Sequence, residues 1–166
     1  LKRGGSRGRI LAGGIQMALE GGGEETFCQI KEVLCKHREL IYSIYLYYCA
    51  TGASHDRFVM GRAEFLRFVT GARLVDSELD EATFVRVLKE AKAGRKFMQE
   101  TRTLRFADSL LRFEFLQALV HIALLKYVLP GQIPSVAAAL RRLIDDIRCS
   151  APADAMALAE RDIFRK

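Results

Sequence analysis

Leu110-Leu-Arg-Phe-Glu114-Phe115-Leu116-Gln-Ala-Leu119-Val-His-Ile-Ala-Leu-Leu-Lys-Tyr127 contains neither Gly nor Pro. Its apolar residues return at three- and four-residue steps, which predicts a helix rather than a strand. Asp108 or Ser109 is expected to cap it. Phe113, Leu116, Val120, Ala123, Leu124 and Tyr127 are expected to face the core.

The same texture extends in both directions. From Glu24 the apolar residues Phe27, Ile30, Val33, Leu34, Leu40, Ile41, Ile44, Tyr45 and Tyr48 recur without Gly or Pro until Gly52. That predicts one long helix or two abutting ones. Residues 40–49 are apolar nearly all round and should be the central, most buried element. A second helix is expected over 61–74, with Phe65, Leu66, Phe68 and Val69 inward. A third, over 80–93, has Ser77 and Asp80 as candidate caps and Phe84, Val85 and Leu88 on one face. Residues 94–107 are polar and poorly periodic, and read as a long loop. After the Leu-Pro-Gly-Gln-Ile-Pro break, Ser135 opens a helix with Val136, Leu140, Leu143, Ile144 and Ile147 on one stripe. Ala151-Pro152 ends it, and 154–164 predicts a last short helix. The fold class is all-α, with no strand of ordinary length.

The chain divides into an arm, a body and a tail. Residues 1–23 hold eight of the thirteen glycines, too much backbone freedom for a segment to fold alone, so a flexible arm is expected. Residues 24–150 form the helical domain, and 151–166 a short helix or tail. The sequence begins with Leu, which reads as a processed chain or an excerpt of a longer one. Half of the 166 residues are hydrophobic and 28% charged, which excludes a wholly disordered chain. The apolar runs are far short of the roughly 20 residues needed to span a bilayer. The net charge is +6, but the arm supplies Lys2, Arg3, Arg7 and Arg9; without these four, 22 basic residues face 20 acidic ones. The basicity is thus mainly that of the arm, which weakens a nucleic-acid reading of the body.

Cys28, Cys35, Cys49 and Cys149 form no CxxC pair and have no His at zinc-like spacing, so structural thiols in a reducing, intracellular compartment are expected. Cys28 and Cys35, seven apart, are expected as buried thiols on one helix face. His37 is expected at a helix surface, His55 in a loop and His121 as a core histidine. Asp145-Asp146 reads as a solvated pair. Nothing here forms a nucleophile motif, P-loop, Rossmann fingerprint or HExxH, so no enzyme and no cofactor is expected.

Two segments repeat a local pattern: Met60-Gly-Arg-Ala-Glu64-Phe65-Leu66 and Leu110-Leu-Arg-Phe-Glu114-Phe115-Leu116. Each has an apolar residue, a Glu four positions later, then Phe-Leu and a helix. This resembles the exit half of an EF-hand in the calmodulin-like family, where an apolar residue at loop position eight pairs with its mate and Glu at position twelve opens the outgoing helix. The resemblance covers residues 35–128, as a helical frame with lost calcium loops, extra C-terminal helices and the flexible N-terminal arm. Calcium takes six to eight oxygen ligands, chiefly carboxylates at positions one, three and five. Here those positions hold Ala53, His55 and Arg57 in one loop and Thr103, Arg105 and Ala107 in the other. Phe58 and Asp108 stand where the loop glycine belongs, so no metal is expected.

The resemblance implies a calcium-independent structural module that holds a partner, with a cup of helices for an amphipathic helix. The expected groove residues are Ile44, Tyr48, Phe65, Val69, Phe84, Leu88, Phe115 and Leu119. Residues 115–127 also resemble EF-hand-like segments of large cytoskeletal and ciliary proteins, which implies a scaffold subunit at the cytoskeleton or cilium, with tubulin among the candidate partners. The alternative is a structural protein of a ribonucleoprotein. It would contact RNA through Arg3, Arg7 and Arg9 of the arm and Arg95, Lys96, Arg102 and Arg105 of the loop, where Phe97 and Phe106 interleave the charges. A further alternative is an adaptor subunit of an organellar complex.

Overall fold

The computed structural model of the protein describes residues 23–52, 58–92 and 109–160. Among these, the elements in chain order are α1 (Gly23–Lys36), α2 (Arg38–Ala50), β1 (Met60–Gly61), α3 (Arg62–Gly71), α4 (Glu81–Ala91), β2 (Ser109–Leu110), α5 (Arg112–Ala123), a π-helical turn (Leu124–Val128), α6 (Val136–Ser150) and α7 (Ala153–Glu160). The all-α expectation holds, and the only strand pairing among the described residues is the two-residue ladder β1–β2.

The segment from Glu24 resolves into two abutting helices. His37 leaves helical geometry at φ −106° and ψ 15°, while its amide still donates to Val33 O and its carbonyl accepts from the Ile41 amide. The helix is therefore interrupted at one residue without opening a loop. α2 is the central element, burying Leu40, Ile41, Ile44, Tyr45, Tyr48 and Cys49. α4 starts where the sequence indicates: the Asp80 carboxylate accepts from the Thr83 amide at 2.8 Å and from its hydroxyl at 2.6 Å. α6 shows the expected stripe, with Val136, Leu140, Leu143, Ile144 and Ile147 all buried. α7 begins directly after Pro152 and lies along α2, where the fully buried Ala155 permits close approach.

Several expectations are corrected. Ser109 lies in β2, and Leu111 is the residue that precedes α5. The inward face of α5 carries Phe115, Ala118, Leu119, Ile122 and Ala123, whereas Phe113 is 51% exposed and Leu116 and Val120 are only half-buried. A helix apolar nearly all round offers two stripes at helical spacing, and packing chooses between them. Phe27 is exposed, as are Cys28, Cys35 and Cys149; of the four thiols Cys49 alone is buried. α1 packs by Ile30 and Val33 against α6, and a helix docked along one narrow stripe leaves its other faces in water. The expected loop 94–107, the arm apart from Gly23, His55 and residues 161–164 lie outside the described residues.

Candidate functional site

The two repeated segments meet. Met60 and Leu110 are Cα partners in the antiparallel ladder, and Gly61 pairs with Ser109. Both Met60 and Leu110 are fully buried. The ladder lies at the entrance of α3 and α5, so the start of each helix is positioned by the other's strand.

Below the ladder stands Tyr45 of α2. Its hydroxyl lies 2.9 Å from the carbonyl oxygens of both Phe58 and Leu110, and the Met60 backbone also hydrogen-bonds to it. One phenol oxygen thus bridges both segments. Burial, followed by Cys49 beside it, pushes the phenol pKa well up, so the group stays a neutral donor. The ring is held 5.4 Å from that of Phe115. Phe115 packs edge-to-face on Phe68 at 5.1 Å.

The two glutamates turn inward. Glu114 is fully buried, and its Oε2 accepts from the Leu111 amide at 2.7 Å, satisfying a backbone donor at the start of α5. Glu64 is 5% exposed and lies between Gly52 and Gly61; a Cβ at either glycine would collide with its carboxylate. The Glu114 carboxylate is therefore committed to the start of α5, while that of Glu64 fills the space that the two glycines leave open. Together with the neutral and basic residues at loop positions one, three and five, this donor set does not fit calcium. Among the described residues no group of three or more His, Cys, Asp or Glu could hold a metal ion.

All eight residues expected to line a partner groove lie in the core: Ile44, Tyr48, Phe65, Val69, Phe84, Leu88, Phe115 and Leu119 are each at most 5% exposed. The space between the helices is filled by α6. Ile144 and Ile147 of α6 meet Leu40, Ile41 and Ile44 of α2, Phe68 of α3, and Phe115 and Leu119 of α5 around a void of only about 10 Å³. That leaves room for at most one water, and the lining is apolar. The apolar stripe of α6 thus packs between α2, α3 and α5. Of the expected basic contacts, Arg3, Arg7, Arg9, Arg95, Lys96, Arg102 and Arg105 all lie outside the described residues.

Polar side chains pin the outer helices. The Tyr127 hydroxyl, placed by the π turn, bonds to the Asp146 carboxylate of α6, which also meets Arg142 Nε at 3.2 Å. Asp146 thus departs from the expected solvated pair, while Asp145 is exposed beside Arg148. Lys126 reaches the Asp76 carboxylate at 2.8 Å, and this bond holds the Asp76 pKa below its ordinary value. His121 of α5 lies 3.6 Å from Glu90 of α4, and burial lowers its pKa. His37 is half-buried, with Nδ1 3.1 Å from Arg148 Nη2, and burial lowers its pKa too.

Tyr45 joins the two segments, a role that its place in an apolar helix does not indicate. Its partner carbonyl in Leu110 is 65 residues away, and α2 carries four further hydroxyls, on Tyr42, Ser43, Tyr47 and Tyr48, so no local pattern singles it out. No family model matches the chain, and no curated protein or solved structure matches it.

Proposed function

We propose that the chain is a calcium-independent, EF-hand-like structural module: a non-catalytic scaffold subunit of a larger assembly, with the microtubule or ciliary cytoskeleton as the first assembly to test. The observation that carries this reading is the Tyr45 hydroxyl beneath the Met60–Leu110 ladder. In a calcium sensor, ion binding rearranges the helices and opens the cup. Here a neutral side chain joins the two segments without an ion, Glu114 serves the start of α5, and α6 fills the space between α2, α3 and α5. A body held in this way has one geometry, and it presents its outer faces to partners.

Two measurements on the full chain test the reading. Amide spectra recorded with and without millimolar calcium are expected to coincide. Calcium-dependent shifts at Met60, Gly61, Ser109 and Leu110 would overturn the calcium-independent module. Co-sedimentation with microtubules is expected to be saturable and to resist competing RNA. Displacement by RNA at equal charge would replace the cytoskeletal scaffold with the ribonucleoprotein alternative.

A further inference from the structure

On the outside of the molecule, α2, α3 and the α6–α7 turn enclose an open groove of about 470 Å³. Its floor is Tyr48, whose ring is packed edge-to-face on Phe68 at 5.6 Å and whose residue is only 5% exposed. The hydroxyl of this buried ring emerges beside Gly71, where a Cβ would stand 2.6 Å from it. Gly71 therefore keeps the hydroxyl open to the groove. Tyr47 meets Tyr48 at 90° and 5.2 Å and forms one wall. The other wall is one face of α3, with Leu66, Arg67 and Thr70 at helical spacing, and Pro152 closes the end. One arm of the Arg67 guanidinium donates to Thr51 O at 2.9 Å, which fixes the side chain at the groove rim.

Among the described residues, Arg67 is the only charged side chain that lines this groove. Residues 40–52 contain no charged side chain, and from Phe58 to Val75 the only carboxylate is Glu64, which is buried. Arg62, Arg67 and Arg73 are all exposed. Asp154, the acid nearest the rim in sequence, sits in the first turn of α7 and does not line the groove. The groove thus offers an anchored guanidinium, phenol and threonine hydroxyls, and an apolar strip of Leu66 and tyrosine rings. A carboxylate beside an apolar side chain satisfies all of these.

We propose that this groove is the docking site for an acidic segment of a partner protein, which sets a carboxylate against Arg67 and an apolar side chain on Leu66, Tyr47 and Tyr48. The site deepens the scaffold reading, on which it rests for a rigid body, by naming the chemistry of the partner.

The test is fluorescence anisotropy of the full chain with a fluorescein-labelled peptide of glutamates around a central leucine, alongside amide spectra. The peptide is expected to bind with shifts confined to α2, α3 and residues 150–153, and more weakly as salt rises. Its glutamine counterpart is expected to bind about tenfold more weakly or worse, and Arg67→Gln, at an exposed position, to weaken the glutamate peptide by about tenfold. Tyr48→Phe retains the ring and is expected to cost about fivefold, on the scale of one neutral hydrogen bond. Equal binding of the glutamine peptide, an unaffected Arg67→Gln variant, shifts elsewhere on the surface, or no binding at about millimolar peptide would overturn the site. Displacement of the peptide by an RNA oligonucleotide of equal charge would also overturn it, since the groove would then be reading charge alone. Calcium addition separates the two readings. Peptide binding that fails while spectra ignore calcium removes only the groove, whereas calcium-dependent spectra with intact binding remove only the module.

Discussion

Replacing Tyr45 by Phe removes one oxygen atom and leaves the ring packed on Phe115. The lost hydroxyl bonds the carbonyls of Phe58 and Leu110 at 2.9 Å and interacts with the Met60 backbone. Leu110 and Met60 are fully buried, so water has little access to the polar groups left behind. A net hydrogen bond contributes about 1 kcal/mol, and a buried polar group that loses its partner costs about 1–3 kcal/mol. The expected destabilisation is about 2 kcal/mol. With a urea slope of about 2 kcal/mol per molar, the unfolding midpoint falls by about 1 M at unchanged slope. Amide exchange at Met60 and Leu110 should accelerate together, because both protect the same ladder. A loss below about 0.5 kcal/mol, the usual size of a neutral surface change, would refute the reasoning. It would mean that the ladder and the core hold the two segments without the hydroxyl.

Other outcomes follow from the same contacts. Phe115→Ala in the fully packed centre is expected to cost about 3–5 kcal/mol, measured by urea unfolding; a cost near 1 kcal/mol would mean that the core collapses around the gap. Asp76 has a folded pKa below its ordinary value of 3.8, mainly through Lys126. Its contribution is therefore complete above that value and is lost as pH falls through the lower folded pKa. Asp76→Asn should flatten the acid limb of the stability profile, and an unchanged limb would show that the bond contributes nothing. His121 and His37 both have folded pKa values below 6.5, through burial first in each case. The unfolded chain takes up their protons more readily, so stability should fall as pH drops through 6.5. A chain carrying His37→Gln and His121→Gln should lose that slope, seen in urea midpoints between about pH 7 and pH 5.

The legible parts of the sequence were those where one local rule applied without competition. α6 has a single apolar stripe between polar residues, and all five residues of that stripe are buried. Asp80 caps α4 because a short acceptor precedes a periodic run. α5 misleads by the same logic. Nearly every position is apolar, so periodicity admits both the Phe113 stripe and the Phe115 stripe, and only the neighbouring helices decide. The thiols of α1 were misplaced because spacing shows that two residues share a face without showing which face is covered. The pairing of Met60 with Leu110 was suggested by the repeat itself, while the polar atom beneath it comes from a third element. The groove was not legible at all: its walls come from α2, α3 and the α6–α7 turn, which no local pattern connects.

The seating of α6 sets a threshold for any outside helix that competes for the same place between α2, α3 and α5. A tethered segment acts at an effective concentration of about millimolar when its connection is short, and here the Leu129–Ser135 connection is all that separates α6 from the π turn. A free helix of equal intrinsic affinity would need about that concentration to displace half of it. At micromolar levels the competitor must bind about a thousandfold more tightly, a difference of about 4 kcal/mol. Tethering alone therefore keeps ordinary amphipathic helices out of the seat of α6.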